Sequence, residues 1–190
     1  MQAVVIHETG GPDVLQYEEI DRPEPGEGEV LIRVHAASVN PVYWKHRRGL
    51  TGRPLPAVLG VDVSGTVETS RAEDFGEGEQ VFGTSASGGY AEYSTAAAEA
   101  IASKPENVSH EQAAAIPASG LTAWQVLFDR GGLQSGQTAL VAGAAGGAAA
   151  IVIRIPPSRT AGSSEAVVSP PTVSNATSAA LTAAPTSSRV

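Results

Sequence analysis

Over residues 1–105 the apolar residues come in short runs, each cut off by glycine or proline, and this interrupted pattern limits the fold more than any other feature of the chain. Residues 2–6 (QAVVI) read as a strand that stops at Gly10-Gly11-Pro12, and 15–19 read as the next. Pro23 and Pro25 in the loop 22–28 remove ladder donors and separate that strand from the third. Residues 30–37 (VLIRVHAA) are mostly apolar and predict a well-buried strand. Pro41 suits the first turn of a short helix running to about Arg48 and ended by Gly49. Residues 61–67 predict a strand interrupted at Gly65, and 80–82, 90–95 and 100–103 predict three more. Many short strands between Gly/Pro turns predict a barrel or sandwich rather than a wound α/β sheet.

The pattern changes after Pro105. Ser109, with Gln112 at the capping-box offset, starts a helix that continues through 113–116 and is interrupted by Pro117. Residues 121–129 carry Leu121, Trp124, Val126, Leu127 and Phe128 on a helix-like apolar face closed by Gly131-Gly132. Residues 138–142 (TALVA) are a short apolar strand leading into Gly143-Ala144-Ala145-Gly146-Gly147, with the first helix turns expected over 148–155. A strand that enters a glycine-rich turn and then a helix is where dinucleotide folds hold a pyrophosphate. Small residues let the backbone approach the phosphates, and the helix N-terminus offers unpaired N–H groups. Two features depart from that pattern. Ala149 occupies the third turn position, and residues 158–171 hold no convincing ribose-reading residue.

Charge and composition exclude several classes. Twelve Lys and Arg against 20 Asp and Glu give a net charge of −8 and a pI near 4.9. Nucleic acid and anionic membranes need clustered bases, so neither is an expected partner. The chain has no cysteine, which excludes disulfides, iron–sulfur clusters and thiolate-bound zinc. No apolar run reaches the roughly 18 residues of a membrane helix. The first residues (MQAVVI) lack a basic n-region, so a cytoplasmic protein is expected. The last 40 residues differ from the rest, with 8 Ser, 5 Thr, 7 Ala and 5 Pro and no Asp, Lys, His or aromatic residue. Such a segment cannot bury enough side-chain area to offset its ordering entropy, and residues 156–190 are expected to be disordered.

Individual residues give weaker signals. His7, His35, His46 and His110 have no metal-ligand spacing and read as surface or hydrogen-bonded histidines. Asn40, after a buried strand, is a polar group suited to a pocket wall, and Lys45 is a cation suited to phosphate or a developing oxyanion. Taken as single residues, an ordinary turn and a solvated helix explain both better. Asp62 sits in an apolar strand, where a carboxylate needs a partner, and a salt bridge to Lys45 or Arg48 is expected.

Six stretches taken together resemble a known family: GGPDVL (10–15), PEPGEGEVLIRVHAASVNPVYWK (23–45), LPAVLGVDVSGTV (55–67), GGYAEY (88–93), EQAAAIPASGLTAWQVL (111–127) and VAGAAGG (141–147). In order and interval they are similar to the zinc-independent quinone oxidoreductase, zeta-crystallin-like, branch of the medium-chain dehydrogenase/reductase superfamily, over about residues 1–150. The resemblance implies an α+β, mainly β chain. A GroES-like partly open β-barrel would occupy 1–120, a truncated start of a Rossmann α/β domain 121–155, and the low-complexity tail 156–190. It implies NADPH as cofactor, no zinc, and hydride transfer to a small-molecule quinone or to the double bond of an α,β-unsaturated carbonyl. Position by position, it matches Asn40 to a polar residue beside the nicotinamide and Lys45 to a lysine that contacts substrate or cofactor. Thr122 matches a residue near the nicotinamide ribose-phosphate, and Gly143, Gly146 and Gly147 match the pyrophosphate turn. Tyr43 stands where many relatives have Asp, and Gly60-Val61-Asp62 stands where zinc-dependent cousins have Gly-His-Glu.

Relatives run on for well over a hundred further residues, so weak or absent NADPH binding is expected of this chain. One strand at 138–142 would have to pair with the barrel, with another chain, or with nothing. A homodimer is one option for assembly, since relatives commonly dimerise through the Rossmann sheet edge. The tail has the composition of a GC-rich gene read out of frame, which suggests a frameshift near Pro156; a genuine extension is the competing explanation. A non-catalytic barrel module that binds a partner or small molecule is the alternative to the reductase.

Overall fold

The computed structural model describes residues 1–134, 137–141, 143, 146–152, 167–168 and 183–184. The chain divides into two compact units, Met1–Pro117 and Ala118–Val190.

The first unit contains eight strands: β1 (Gln2–Ile6), β2 (Gln16–Glu19), β3 (Glu29–Ala37), β4 (Ala57–Val58), β5 (Asp62–Ser70), β6 (Gln80–Thr84), β7 (Tyr93–Ala97) and β8 (Ile101–Ser103). Helix α1 (Pro41–Arg47) lies between β3 and β4, and α2 (His110–Ala114) follows β8. Five strands pair antiparallel in the order β7-β3-β5-β6-β8, and three in the order β2-β1-β4. The Ala3–Ala91 bridge and a Val4 N–H donated to the Tyr90 carbonyl at 2.8 Å join the two sheets. The larger sheet buries Val30, Ile32, Val63, Val67, Val81 and Ala96 as one cluster, with Phe75 and Ile101 packed against it. The β-branched residues that predicted strands are thus the ones that fill the core. Ile6, Val14, Ala57 and Leu59 form a second cluster under the smaller sheet.

Two expectations change. Gly65 does not break its strand, because β5 runs through it from Asp62 to Ser70. It is needed for close approach: a Cβ there would lie 2.1 Å from the Arg33 carbonyl and 2.8 Å from Ile32 Cγ2. The register shifts in β3 on both sides of this crossing, so the two strands meet at a bulged, twisted point that leaves no room for a side chain. The helix expected through 113–116 stops at Ala114, ahead of Pro117, and that proline also starts the next helix, α3 (Pro117–Trp124), whose last turn widens into a π segment over Gln125–Arg130.

Helix α2 starts as its sequence predicts. Ser109 Oγ accepts from the Gln112 N–H at 3.2 Å, and the Gln112 side chain accepts from the Ser109 N–H at 3.0 Å. His110 anchors this helix to the sheet. Ser64 Oγ gives its one hydrogen to the Val81 carbonyl at 2.9 Å, so His110 Nδ1, 2.8 Å away, is the donor to the same oxygen. The His110 ring stacks on His35 at 4.4 Å. The other three histidines are hydrogen-bonded as well, His7 to Glu18, His46 to Thr51 and His35 to Thr66.

In the second unit, β9 (Thr138–Val141) is the predicted strand, and α4 (Gly147–Val152) is the predicted helix turn. The strand's partners among the described residues are two apolar dipeptides of the chain's own last residues, an option the sequence did not suggest. They are β10 (Val167–Val168), parallel, and β11 (Ala183–Ala184), antiparallel. Ala142, Ala144, Ala145, the end of the helix expected over 148–155, the frameshift position at Pro156, the ribose-reading segment and the remainder of the expected disordered tail lie outside the described residues.

Gly65→Ala is expected to destabilise the chain by about 3 kcal/mol, the upper range for overpacking, as a drop in the urea midpoint; an unchanged midpoint would show that β3 can move aside. A second expectation concerns pH. Burial, then the neighbouring His35 and Lys104, hold the His110 pKa below its ordinary 6.5, with Glu111 opposing. The unfolded state therefore binds the proton more readily, and stability falls as pH drops below 6.5. In thermal melts at about pH 7.5 and about pH 5.5, on either side of the ordinary histidine value, His110→Gln should lose less stability than the native chain.

Candidate functional site

Asn40 stands at the N-cap of α1 in extended conformation, yet its side chain makes no capping bond. Pro41 follows it at the first helical position, where an N–H would have no intrahelical partner. The amide turns to the protein instead. Its Nδ2 lies 2.8 Å from Ser38 Oγ, 2.9 Å from Asp62 Oδ2 and 3.1 Å from the Tyr43 hydroxyl. Two hydrogens serve three acceptors, so one of the three is shared. This orientation of the amide follows from Asp62, because Oδ1 in the same place would set two acceptors against each other. Oδ1 is then the part of Asn40 left for a ligand.

Asp62 is 1% exposed and opens β5. Its Oδ2 accepts from Ser38 Oγ at 2.8 Å as well as from Asn40. Hydroxyl and amide donors occupy the place where a salt bridge to Lys45 or Arg48 was expected. Both of those cations lie against the Trp44 ring, with Lys45 Nζ 5.8 Å and Arg48 Cζ 5.7 Å from its centroid.

Two phenols complete the cluster. Tyr43 is 4% exposed, and its oxygen accepts from Asn40 and from the Val61 N–H at 2.9 Å. With both lone pairs engaged, its own hydrogen is what it has left to give. Tyr90 meets Tyr43 edge to face at 5.5 Å and donates its hydroxyl to the Ser38 carbonyl at 3.0 Å. Burial, with Tyr43 and Asp62 adding to it, pushes the Tyr90 pKa up to about 12, so it stays a neutral donor. These groups open onto a pocket of about 410 Å³ within the first unit, whose lining includes Leu15, Val39, Asn40, Tyr43, Trp44 and Tyr90. Its size and its apolar walls with a few convergent polar groups are those of a small-molecule site.

Of the residues singled out from sequence, Asn40 lines this pocket and Lys45 does not. Thr122, Gly143, Gly146 and Gly147 belong to the second unit. Thr122 is exposed on α3, and its Oγ1 bonds back to the Ala118 carbonyl at 2.6 Å. Gly143 takes φ of +75°, open to glycine and strained for other residues, with nothing within 4 Å of a would-be Cβ. The Gly146 N–H closes the turn on the Gly143 carbonyl at 2.9 Å. A Cβ at Gly147 would come within 3.1 Å of Ser119 Oγ, which brings the start of α4 against α3. Gly143 and Gly146 are exposed. Ser38, Tyr43, Asp62 and Tyr90 were not identified as a site from sequence. The 38/40/43 spacing across a strand end and a first helical turn was the available signal for three of the site's residues.

Comparison with known proteins places this geometry. Residues 26–106 match the alcohol dehydrogenase GroES-like domain, so the first unit is a GroES-like partial barrel. The chain is 41% identical over 153 residues to human quinone oxidoreductase, covering 77% of this chain and 46% of that protein. It is 38% identical over 170 residues to an NADPH-dependent alkenal/one oxidoreductase, chloroplastic, from Arabidopsis thaliana, covering 82% and 44%. A crystal structure of Escherichia coli quinone oxidoreductase complexed with NADPH superposes with a TM-score of 0.75 at 30% identity, covering 84% of this chain and 50% of that one. The chain belongs to the quinone oxidoreductase branch of the medium-chain dehydrogenase/reductase superfamily, and it spans about half the length of the curated relatives it matches.

Tyr43→Phe leaves the Val61 N–H without its acceptor. It is expected to lower stability by about 1–3 kcal/mol in urea unfolding. An unchanged midpoint would mean that the cluster does not depend on the phenol.

Proposed function

We propose that the chain carries the acceptor-binding site of an NADPH-dependent oxidoreductase acting on quinones or α,β-unsaturated carbonyls. The observation that carries this reading is the paired polarity at the wall of an apolar pocket: Tyr43 has a hydrogen to donate, and Asn40 has a carbonyl to accept. An acceptor carbonyl takes the Tyr43 hydrogen, so the phenol stabilises negative charge as it develops on that oxygen. Asn40 Oδ1 suits an N–H donor, such as a carboxamide, and its own amide hydrogens are held by Ser38, Asp62 and Tyr43 so that it cannot rotate. Leu15, Val39 and Trp44 keep the neighbouring wall apolar, which limits competition from water.

The nucleotide, when bound, supplies the hydride. Gly143, Gly146 and Gly147 are the residues that would admit its pyrophosphate. Thr122 would face the ribose-phosphate, and Lys45 would contribute a cation to substrate or cofactor. The relatives named for NADPH and for quinones or enones support the same assignment. Nucleotide affinity in this chain is expected to be weak, because residues 158–171 hold no convincing ribose-reading residue.

The test separates acceptor from nucleotide. In a Trp124→Phe background Trp44 is the remaining tryptophan, and 1,4-naphthoquinone should quench it saturably. Tyr43→Phe should weaken that binding about five-fold, the worth of one hydrogen bond. Absence of saturable quenching would sink the acceptor site. NADPH oxidation with the same quinone well above background would overturn the expectation of weak nucleotide binding.

A further inference from the structure

Between Glu29 and Asp62 the chain carries no acidic residue but five bases, Arg33, Lys45, Arg47, Arg48 and Arg53, in a protein of net charge −8. Arg33 pairs with Glu68. The other four lie on α1 and the loop after it, and among the described residues no ion pair neutralises them. Their field is felt locally: after burial, Arg53 is the second cause that lowers the pKa of His46. One of the four lines the pocket, and two flank the tryptophan that forms one of its walls. Arg47 is the lining residue and spends one of its five N–H donors on the Gly10 carbonyl at 2.7 Å. Lys45 and Arg48 sit at the ring of Trp44, a half-exposed wall of the same pocket. Uncompensated like charges beside an apolar cavity raise the potential at its rim, and an anion placed there relieves it.

We propose that this pocket selects acceptors with an apolar ring system and an anionic substituent, a carboxylate or sulfonate, with Arg48 as the specificity-determining residue at the α1 rim. The proposal rests on the reading of the pocket as an acceptor site. The ring stacks along Trp44 and presents its carbonyl to Tyr43, while the substituent remains outside with the guanidinium groups. Arginine suits the task because its planar fork meets a carboxylate or sulfonate with two parallel N–H donors. Exposed Trp44 and Val39 beside bases would also fit an anionic lipid surface. The concave shape and the buried Tyr43 donor favour the small molecule.

The experiment compares 1,4-naphthoquinone with 1,4-naphthoquinone-2-sulfonate by Trp44 quenching in the Trp124→Phe chain, and by calorimetric titration of the native chain in case that substitution perturbs folding. At low salt the sulfonate should bind about ten-fold tighter. The preference should shrink towards unity near 1 M salt, where the screening length falls to about 3 Å. Arg48→Gln should cut the sulfonate-to-neutral ratio about three-fold. Equal affinities at low salt, or a preference insensitive to both salt and Arg48→Gln, would overturn this inference and leave the acceptor site standing. If neither quinone binds, the acceptor site itself fails and this inference with it. A shift of Trp44 emission on anionic phosphatidylglycerol vesicles, without selective sulfonate binding, would assign the basic rim to a membrane surface and overturn the proposal.

Discussion

A buried carboxyl group must find donors, and the way Asp62 finds them organises the first unit. At the head of β5 it takes hydrogen bonds from Ser38 and Asn40, the residues that join the end of β3 to α1. This ties the link to the sheet and fixes where α1 begins. Tyr43, one turn into that helix, is thereby held against Val61 and Asn40. Removal of one member would weaken the hydrogen bonding of its neighbours in the cluster, so the cost is shared over several bonds.

The same constraint separates structural from chemical roles within the cluster. Ser38 and Asp62 are consumed by holding the link. Tyr90 gives its hydrogen to the backbone of Ser38 and is kept neutral by burial. Tyr43 retains a donor, and Asn40 retains an acceptor. Tyr43 thus places a hydroxyl donor, with a pocket-lining ring, at the wall of the pocket. The basic residues of α1 stay at the rim, because Asp62 already has neutral donors and does not draw them inward.

Much of the first unit was legible in the sequence, because its signals are local. Valine and isoleucine at alternating positions bury on a pleated face, Ser109 and Gln112 cap a helix within four residues, and Gly49 closes α1. Gly65 misled, because the reason for a glycine there lies in Arg33, on the neighbouring strand. The salt bridge expected at Asp62 failed for a similar reason: Ser38 and Asn40, uncharged and more than twenty residues distant, reach it first. The partners of β9 are two-residue strands in a segment of low complexity, too short to leave a periodic signal.

The sequence by itself determined the strand-and-turn order, the helix caps, the glycine turn after β9, and the family, since each rests on residues adjacent along the chain or at fixed intervals. Only the tertiary structure decided which polar residues work together. Ser38, Asn40, Tyr43, Asp62 and Tyr90 span more than fifty positions, and their meeting depends on the pairing of β3 with β5 and on the approach of the Tyr90 turn. Hydrogen-bond geometry is set within a few tenths of an ångström by that pairing, and no spacing along the chain encodes it.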